Sequence, residues 1–237
     1  MSGHGSAALR EAVWVANQAI VRAGLVTLSF GNASGVDRDG GLMVIKPSGV
    51  AYADLRPEDL VAVDLDTGEP LVDGLRPSSD TPTHLALYRA YPEVGGIVHT
   101  HSRSATSWAQ ACRPIPPFGT THADHFHGSV PVTRQLSDQE VAGEYEAATG
   151  AVIVEALTTA GLDSLEMPAV LVASHGPFTW GPDPEAAADN AIALEAVAAM
   201  AIETLALDPA ARPVAQSLLD RHYRRKHGAT AYYGQRR

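Results

Sequence analysis

Short β-rich runs separated by turn residues are the feature that most limits how this chain can fold. Each run is rich in aliphatic and β-branched residues and is bounded by glycine, proline or aspartate; the runs cover residues 26–30, 42–46 and 60–66. The segment Asp66-Thr67-Gly68-Glu69 is typical of a tight reversal. The first part of the chain therefore predicts antiparallel strands joined by hairpins rather than by crossovers.

Helical patterns accompany these strands. An amphipathic helix opens the chain, with Ser6 as a possible N-cap and Gly24 just past its end. Further helices are predicted at about residues 83–90, through Trp108, and after an S-x-x-E capping box at Ser137. Two more helices are predicted, one that begins at Asp183-Pro184 and one between Pro213 and Gly228. Strands are predicted at residues 96–101 and 169–174. The helix from Asp183 is predicted to bury Ala187, Ala191, Leu194, Ala198, Ile202 and Leu205. We predict a single α/β domain over residues 1–237, a three-layer αβα arrangement with a central, mainly antiparallel sheet.

The charge balance disfavours nucleic acid and membrane surfaces as partners. The chain has 17 Lys and Arg residues against 27 Asp and Glu residues, a formal net charge of −10, which opposes binding to a phosphate backbone or an anionic bilayer. Its start has no basic end followed by an apolar run, and no uninterrupted apolar stretch approaches the ~18 residues that span a bilayer. These features predict a soluble, cytoplasmic protein.

Cysteine and lysine usage narrows the chemistry. Cys112 is the only cysteine, so a thiolate zinc cluster within one chain is excluded and any metal must rest on histidine and carboxylate. The lysines, Lys46 and Lys226, lie outside long apolar runs. Both are therefore predicted to be solvated surface residues, which disfavours Schiff-base chemistry.

Histidines at the ends of predicted strands indicate a metal site. His99-Thr100-His101 closes the strand at residues 96–101, and alternate residues of a strand point to the same face, so both imidazoles can converge on one ion. His175 also ends an apolar strand and precedes Gly176. A packed polar pair is the alternative interpretation of the H-x-H pattern. Three neutral imidazoles favour Zn²⁺, although Mn²⁺, Co²⁺ or Ni²⁺ fit the same ligands.

A fourth ligand and an acid or base would complete such a site. Asp80 is a candidate ligand, and its alternative role is that of a helix N-cap beside Pro82. Residues 122–127, His-Ala-Asp-His-Phe-His, predict either a second metal site or, as we prefer, a catalytic loop with Asp124 as acid or base. The remaining candidates are interpreted as ordinary surface or core residues: His4, His84 and His227.

Three loops offer backbone amides and short hydroxyls to a phosphate group. They are Gly31-Asn32-Ala33-Ser34, Lys46-Pro47-Ser48-Gly49 and Ser78-Ser79. Neutral donors of this kind can hold a phosphate at a nest or a helix N-terminus. Turn chemistry is the alternative interpretation of each loop. A formal dinucleotide fingerprint from Gly3 to Ala8 follows no strand and is discarded.

With these residues assembled, the chain closely resembles the class II aldolase and adducin-like family over nearly its whole length. The resemblance is carried, in order, by LVTLSFGNASGVDRDGG, VIKPSGV, PSSDTPTH, GGIVHTHSR, GTTHAD, SHGPFTWG and HYRRKHGATAYYG. This ordered set is very specific, whereas any one member is not. The resemblance implies a class II aldolase-like fold.

The resemblance also implies which residues form the site. The metal would be held by Asp80, His99, His101 and His175, and the substrate phosphate by Gly31, Asn32, Ser48, Gly49, Ser78 and Ser79. Asp124 and Tyr233 would be the acid/base residues. Tyr233 would come from a neighbouring subunit of a homotetramer, through the tail at residues 229–237. Glu146 and His222 match supporting positions.

The implied activity is a metal-dependent epimerisation between the sugar phosphates L-ribulose 5-phosphate and D-xylulose 5-phosphate. C4 of such a ketose is not acidic, so it must be inverted by transient oxidation or by breaking and remaking the C3–C4 bond. The lack of a credible dinucleotide site in the sequence favours the second route. The alternatives are a class II sugar-phosphate aldolase, whose relatives tend to have glutamate in place of Asp80, and a non-catalytic adducin-like module. His125 and His127 stand where the family predicts aromatic residues.

Overall fold

The computed structural model describes residues 3–228 and 231, with side chains described from residue 7 onward. The helices in this range are α1 (Gly3–Arg22), α2 (Thr81–Ala90), α3 (Arg103–Gln110), α4 (Thr120–Ala123), α5 (Asp138–Ala142), α6 (Tyr145–Ala160), α7 (Pro184–Leu207) and α8 (Gln216–His227), with a 3-10 turn at Pro57–Asp59. The strands are β1 (Asn32–Asp37), β2 (Leu42–Ile45), β3 (Val61–Asp64), β4 (Gly96–His99), β5 (Ala169–Leu171) and β6 (Pro177–Gly181).

The strands of the described chain form one antiparallel sheet, in the order β3-β2-β1-β4-β6-β5. β1 and β4 are its central pair, and Asn32 lies opposite His99 in their register. β4 also pairs with β6, where His99 lies opposite Phe178. The predicted antiparallel sheet is confirmed, and its register brings the Asn32 loop beside the first histidine of the H-x-H pattern.

Helices cover both faces of the sheet. On one face, α1 and α7 pack buried aliphatic residues against the sheet: Val13, Ile20, Ala187 and Ala191 meet Ala33, Val44 and Val98. On the other face, α2 and α6 contribute the second cluster: Leu85, Leu87, Ile153 and Leu157 meet Met43, Ile97 and Trp180. Burial of both sheet faces stabilises this arrangement, and the predicted three layers are confirmed.

Several predicted element boundaries are wrong. Residues 26–30 form a loop and not a strand, because Leu28 has a φ of 56° and Gly31 a φ of 85°, which interrupt an extended backbone. The strands predicted at residues 96–101 and 169–174 end at His99 and Leu171. His101 and His175 therefore lie in the loops that follow the strands. The sequence patterns also do not indicate α6 or β6.

Local hydrogen bonds confirm the predicted turn and the capping box at Ser137. The reversal after β3 is closed by hydrogen bonds from the Gly68 amide to the Asp64 carbonyl, 2.8 Å, and from the Asp64 amide to the Glu69 carbonyl, 2.9 Å. In the capping box, Ser137 Oγ accepts from the Glu140 amide at 3.3 Å, and Glu140 Oε2 accepts from the Ser137 amide at 2.7 Å. α1 begins at Gly3, ahead of the predicted cap at Ser6.

The long helix α7 is part of the core. By length and composition it is the one described helix that meets the criteria for a membrane span, but its buried face packs against the sheet and α1. The predicted stripe is buried from Ala187 to Ala198. Ile202 is 41% exposed, which contradicts the prediction, because Ala201 takes its place in the stripe.

Candidate metal and phosphate site

Three histidines converge at one edge of the central strands. The possible ligand nitrogens of His99, His101 and His175 lie within 4.8 Å of one another, and Nε2 of His99 is 3.1 Å from Nε2 of His101. Nitrogens bound to one tetrahedral zinc at about 2.0–2.1 Å are separated by about 3.3 Å. The described residues therefore contain a histidine cluster with the spacing of a metal site.

Neighbouring groups orient two of these imidazoles. His99 Nδ1 donates to the Pro177 carbonyl at 2.9 Å, which leaves its Nε2 lone pair for a metal. His175 Nδ1 lies 3.3 Å from the Tyr145 hydroxyl. Burial, and then the charges of His99 and His101, lower the pKa of His175 to about 4. Because metal ligation needs neutral imidazole, this environment suits a cation.

The surroundings of Asp80 bear on its two predicted roles. It precedes α2, but its side chain makes no capping hydrogen bond. Instead, Asp80 Oδ2 accepts from Asn32 Nδ2 at 2.6 Å, and Asp80 lines the same cavity as the three histidines. Burial raises the pKa of Asp80, but the nearby His99 and His84 and the Asn32 hydrogen bond outweigh burial and hold it below its ordinary value. The side chain of Asp80 therefore does not cap α2, and its ionised carboxylate lies beside the cluster, outside the close set formed by the three histidines.

The predicted phosphate loops line this cavity. Its volume is about 430 Å³, and the candidate residues on its wall are Gly31, Asn32, Ser48, Gly49, Ser78 and Ser79. Two backbone hydrogen bonds join the loops, from Ser48 to the Arg76 carbonyl at 2.9 Å and from Ser78 to the Lys46 carbonyl at 3.0 Å. Asn32 Nδ2 also donates to Ser78 Oγ at 3.1 Å. Asn32 therefore connects the phosphate loops to Asp80.

Lys46 contradicts the surface prediction. It is 2% exposed, lines the cavity and places Nζ 4.7 Å from the centre of the Tyr52 ring. Burial lowers its pKa below the ordinary lysine value. Its position at the end of β2 gives no sequence signal of burial, because the loop that encloses it is distant in the chain. Tyr145 and Glu146, at the start of α6, also line the cavity.

Gly31 is a backbone requirement of this site. Its φ is 85°, and an added Cβ would lie 2.7 Å from the His99 carbonyl oxygen. Gly24 is a matched control, because its φ is 72° but an added Cβ meets nothing within 4 Å.

We expect Gly24→Ala to lower the free energy of unfolding by about 1 kcal/mol, because alanine is strained in a left-handed backbone. Gly31→Ala should lower it by at least about 1 kcal/mol more, because of the added contact. Urea unfolding measures both, and equal losses would contradict the proposed close packing.

Asp124 lies outside the cavity. It follows α4, and its carboxylate accepts from Arg225 Nη2 at 2.7 Å and lies 3.1 Å from His222 Nδ1. Burial opposes ionisation of Asp124, but the Arg225 and His222 contacts hold its pKa below the ordinary value. Within one chain, Asp124 is therefore joined to α8 and not to the histidine cluster. Tyr233 lies outside the described residues.

The histidines of residues 122–127 have separate partners. His122 Nε2 lies 2.7 Å from the Gly128 carbonyl, and His125 Nε2 lies 3.2 Å from Lys226 Nζ. His127 lies between Glu166, at 3.0 Å, and Asp220, at 2.9 Å. In the part of the chain that the structure describes, the only close set of metal donors is the one at His99, so this segment does not form the alternative second metal site.

His127 should make stability depend on pH. Burial alone lowers its pKa, but hydrogen bonds to Asp220 and Glu166 raise it above the ordinary value. A raised folded pKa means that this contribution is complete below about pH 6.5 and is lost as pH rises through the folded value. The pKa of Asp220 is lowered by the hydrogen bond to His127, so its share is lost in strong acid. We expect His127→Phe to reduce the melting temperature more at about pH 5.5 than at about pH 9.

His125, two residues earlier in the chain, is a control for which the pH dependence of stability has the opposite sign. Burial lowers its pKa to about 4, so protonation of His125 disfavours the folded state below about pH 6.5. His125→Phe should therefore gain stability relative to the unmodified protein as the solution is acidified. A stability loss in His127→Phe that is the same at every pH would contradict the ion-pair role.

This combination of fold and cavity agrees with a family match. The family described as class II aldolase and adducin N-terminal domain matches residues 11–202. The chain belongs to this family. Among solved structures, an L-fuculose 1-phosphate aldolase has a TM-score of 0.76 at 20% identity, covering 94% of this chain and 96% of that chain; this likeness concerns the fold alone. An L-fuculose-1-phosphate aldolase from Thermus thermophilus has a TM-score of 0.67 at 25% identity, covering 85% of this chain and 97% of that chain.

Curated relatives in the family are more similar in sequence. An L-ribulose-5-phosphate 4-epimerase of Salmonella paratyphi C is 52% identical over 228 residues, which cover 96% of this chain and 99% of the relative. An L-ribulose-5-phosphate 4-epimerase of Salmonella typhi is 51% identical with the same coverage. The family predicted from the ordered motifs is confirmed.

Proposed function

We propose that this protein is a metal-dependent isomerase that interconverts L-ribulose 5-phosphate and D-xylulose 5-phosphate. The observation that carries the proposal is one cavity lined both by a histidine and carboxylate donor set and by the phosphate loops. The substrate pair comes from the relatives named L-ribulose-5-phosphate 4-epimerase, which align over nearly the whole chain. Such a cavity can hold the phosphate and the reacting carbons of one small sugar together.

The ligands of this proposal are His99, His101, His175 and Asp80, and the metal is zinc, with Mn²⁺ or another divalent cation as substitutes. Three nitrogens and one carboxylate suit these ions better than calcium or magnesium. When bound, the cation supplies Lewis-acid stabilisation of negative charge that develops on the sugar oxygens.

The phosphate is held by the loops around Asn32. Backbone amides at Gly31 and Gly49 and the hydroxyls of Ser48, Ser78 and Ser79 serve as neutral donors. The buried Lys46 adds positive charge to the same wall. Holding the phosphate fixes one end of the substrate and keeps the released fragment in place for the return reaction.

The reaction proceeds by cleavage and re-formation of the C3–C4 bond. A base removes the proton of the C4 hydroxyl, the C3–C4 bond breaks, and its electron pair moves toward the C2 carbonyl. The products are the enediolate of dihydroxyacetone and glycolaldehyde phosphate. The aldehyde rotates, the enediolate attacks its other face, and an acid on the opposite side protonates the new C4 oxygen.

Asp124 and Tyr233 are the proposed acid/base pair. A tyrosine with a pKa of about 10 suits the donor role at neutral pH. We propose that the chain is one domain that assembles as a cytoplasmic homotetramer in which the tail at residues 229–237 reaches a neighbouring site. The position of Asp124 beside α8, away from its own chain's cavity, supports an extension of this idea, in which both residues serve the neighbouring subunit.

An assay with L-ribulose 5-phosphate tests the function. We expect D-xylulose 5-phosphate to accumulate, activity to disappear with a chelator, and zinc to restore it. Stoichiometric release of free glycolaldehyde phosphate, without the epimer, would instead identify an aldolase. Wild-type protein that contains metal but neither interconverts nor cleaves the two sugar phosphates would reject both the epimerase and the aldolase activity.

A further inference from the structure

His84 is a buried histidine that the sequence leaves without a function. It is fully buried in the first turns of α2, one turn after Asp80, and its backbone amide donates to the Asp80 carbonyl at 3.1 Å. Its ring meets the edge of Phe178, which in turn stacks on His99 at 4.2 Å. His84 therefore lies directly behind the histidine cluster.

A buried hydrogen-bond chain reaches His84. Tyr88 Oη lies 2.8 Å from Ser34 Oγ, and Ser34 Oγ lies 2.7 Å from His84 Nδ1. The Tyr88 oxygen also receives a backbone hydrogen bond from Ile97, and burial raises the pKa of this phenol, so it stays protonated. Tyr88 can then donate to Ser34, and Ser34 to His84 Nδ1. In that direction Nδ1 accepts, and the one proton of the neutral imidazole is on Nε2.

The Nε2 atom of His84 has no hydrogen-bond partner among the residues that the structure describes, although it is buried. A buried donor without an acceptor is rare in folded proteins. The charge of Asp80 acts on His84, against the burial that lowers the pKa of His84 to about 3. Asp80 has acceptor capacity beyond the single hydrogen bond from Asn32 to Oδ2.

We propose that His84 is a positioning residue for the metal site: its Nε2–H, without a partner in the described chain, donates to the Asp80 carboxylate once a cation is bound by His99, His101 and His175, and holds that carboxylate in place. This inference rests on the ligand set of the proposed function. The chain Tyr88, Ser34, His84, Asp80 then forms a continuous support behind the metal. Such outer contacts orient a ligand and typically change metal affinity 10- to 100-fold when they are removed.

Zinc affinity of the whole protein tests this role without depending on turnover. Competition with a chromophoric chelator would be measured for the wild type, His84→Asn, Ser34→Ala and Thr179→Val. Thr179 is the matched control, because its buried hydroxyl donates to the Ala187 carbonyl on α7 at 3.0 Å. We expect zinc to bind roughly 10- to 100-fold more weakly to His84→Asn, several-fold more weakly to Ser34→Ala and unchanged to Thr179→Val.

Nitrogen-15 spectra of the imidazoles provide a second readout, which tests the tautomer that the proposal requires. The Nε2–H tautomer of His84 is expected in the wild type, with and without zinc. The Nδ1–H tautomer, or wild-type zinc affinity in both His84→Asn and Ser34→Ala, would overturn the proposal. Should His84→Asn not fold, Ser34→Ala and the tautomer decide. Wild-type protein that binds zinc but lacks epimerase activity would reject the proposed function while leaving this test in force.

Discussion

Replacement of His99 by asparagine is expected to remove most of the bound metal and to reduce epimerisation at least about 100-fold. The three rings of the cluster are nearly equidistant: the ring centroid of His99 is 4.9 Å from that of His101 and 4.8 Å from that of His175, and the other two are 5.0 Å apart. The Nδ1 of His99 is already committed to Pro177. Loss of its Nε2 therefore leaves two imidazoles without the third nitrogen. Elemental analysis and the epimerase assay measure the two effects.

His122→Asn is the control for this substitution. His122 is also buried, and it lies near the Gly128 carbonyl at 2.7 Å, but it does not line the cavity. The His122→Asn protein should be less stable than the wild type but should bind the same amount of metal per subunit. Full metal occupancy in His99→Asn would remove His99 from the ligand set.

The substitutions Asp124→Asn and Tyr233→Phe should each reduce epimerisation by about 10²- to 10⁴-fold, the range typical of a lost general acid or base. Both changes keep the shape of the side chain, and neither residue is a proposed ligand, so metal content should stay at the wild-type level. Steady-state rates in both directions, with metal analysis of the same samples, measure the outcome. Wild-type turnover in both variants would reject the two-residue mechanism.

Mixed assemblies show which subunit supplies these residues. If Asp124 and Tyr233 serve a neighbouring site, the His99→Asn substitution inactivates the site of its own subunit, whereas Asp124→Asn inactivates the site of the neighbouring subunit. Co-refolded hybrids would then regain part of the wild-type activity, since some sites combine an intact cluster with an intact Asp124. Hybrids that stay inactive would place Asp124 in the site of its own chain. The same experiment with His99→Asn and Tyr233→Phe tests the tail.

Much of the site was predictable because its residues are local signals in the sequence. His99-Thr100-His101 and the loops at Ser48 and Ser78 are short patterns whose chemistry follows from residue type. Asp80 was ambiguous at that level, since an aspartate before a proline-started helix suits both a cap and a ligand. In the folded chain its carboxylate makes no capping hydrogen bond and accepts instead from Asn32, a residue distant in the chain.

Other residues carried no local signal. Lys46 and His84 are buried by segments distant in the chain, and burial is a property of the packed structure. The start of β1 was misplaced because the left-handed conformations of Leu28 and Gly31 interrupt the extended backbone, and Gly31 lies against the His99 backbone. Pairwise contacts of this kind are absent from a periodicity pattern.

The sequence by itself determined the family, the antiparallel character of the sheet, the capping box at Ser137 and the residue types available to a metal and a phosphate, since these depend on composition, spacing and short motifs. Tertiary structure alone decided which of these residues meet. It gathered the His99 cluster, Asp80 and the phosphate loops around one cavity and joined Asp124 to α8 instead. The physical reason is that strand register and helix packing fix distances between residues far apart in the chain.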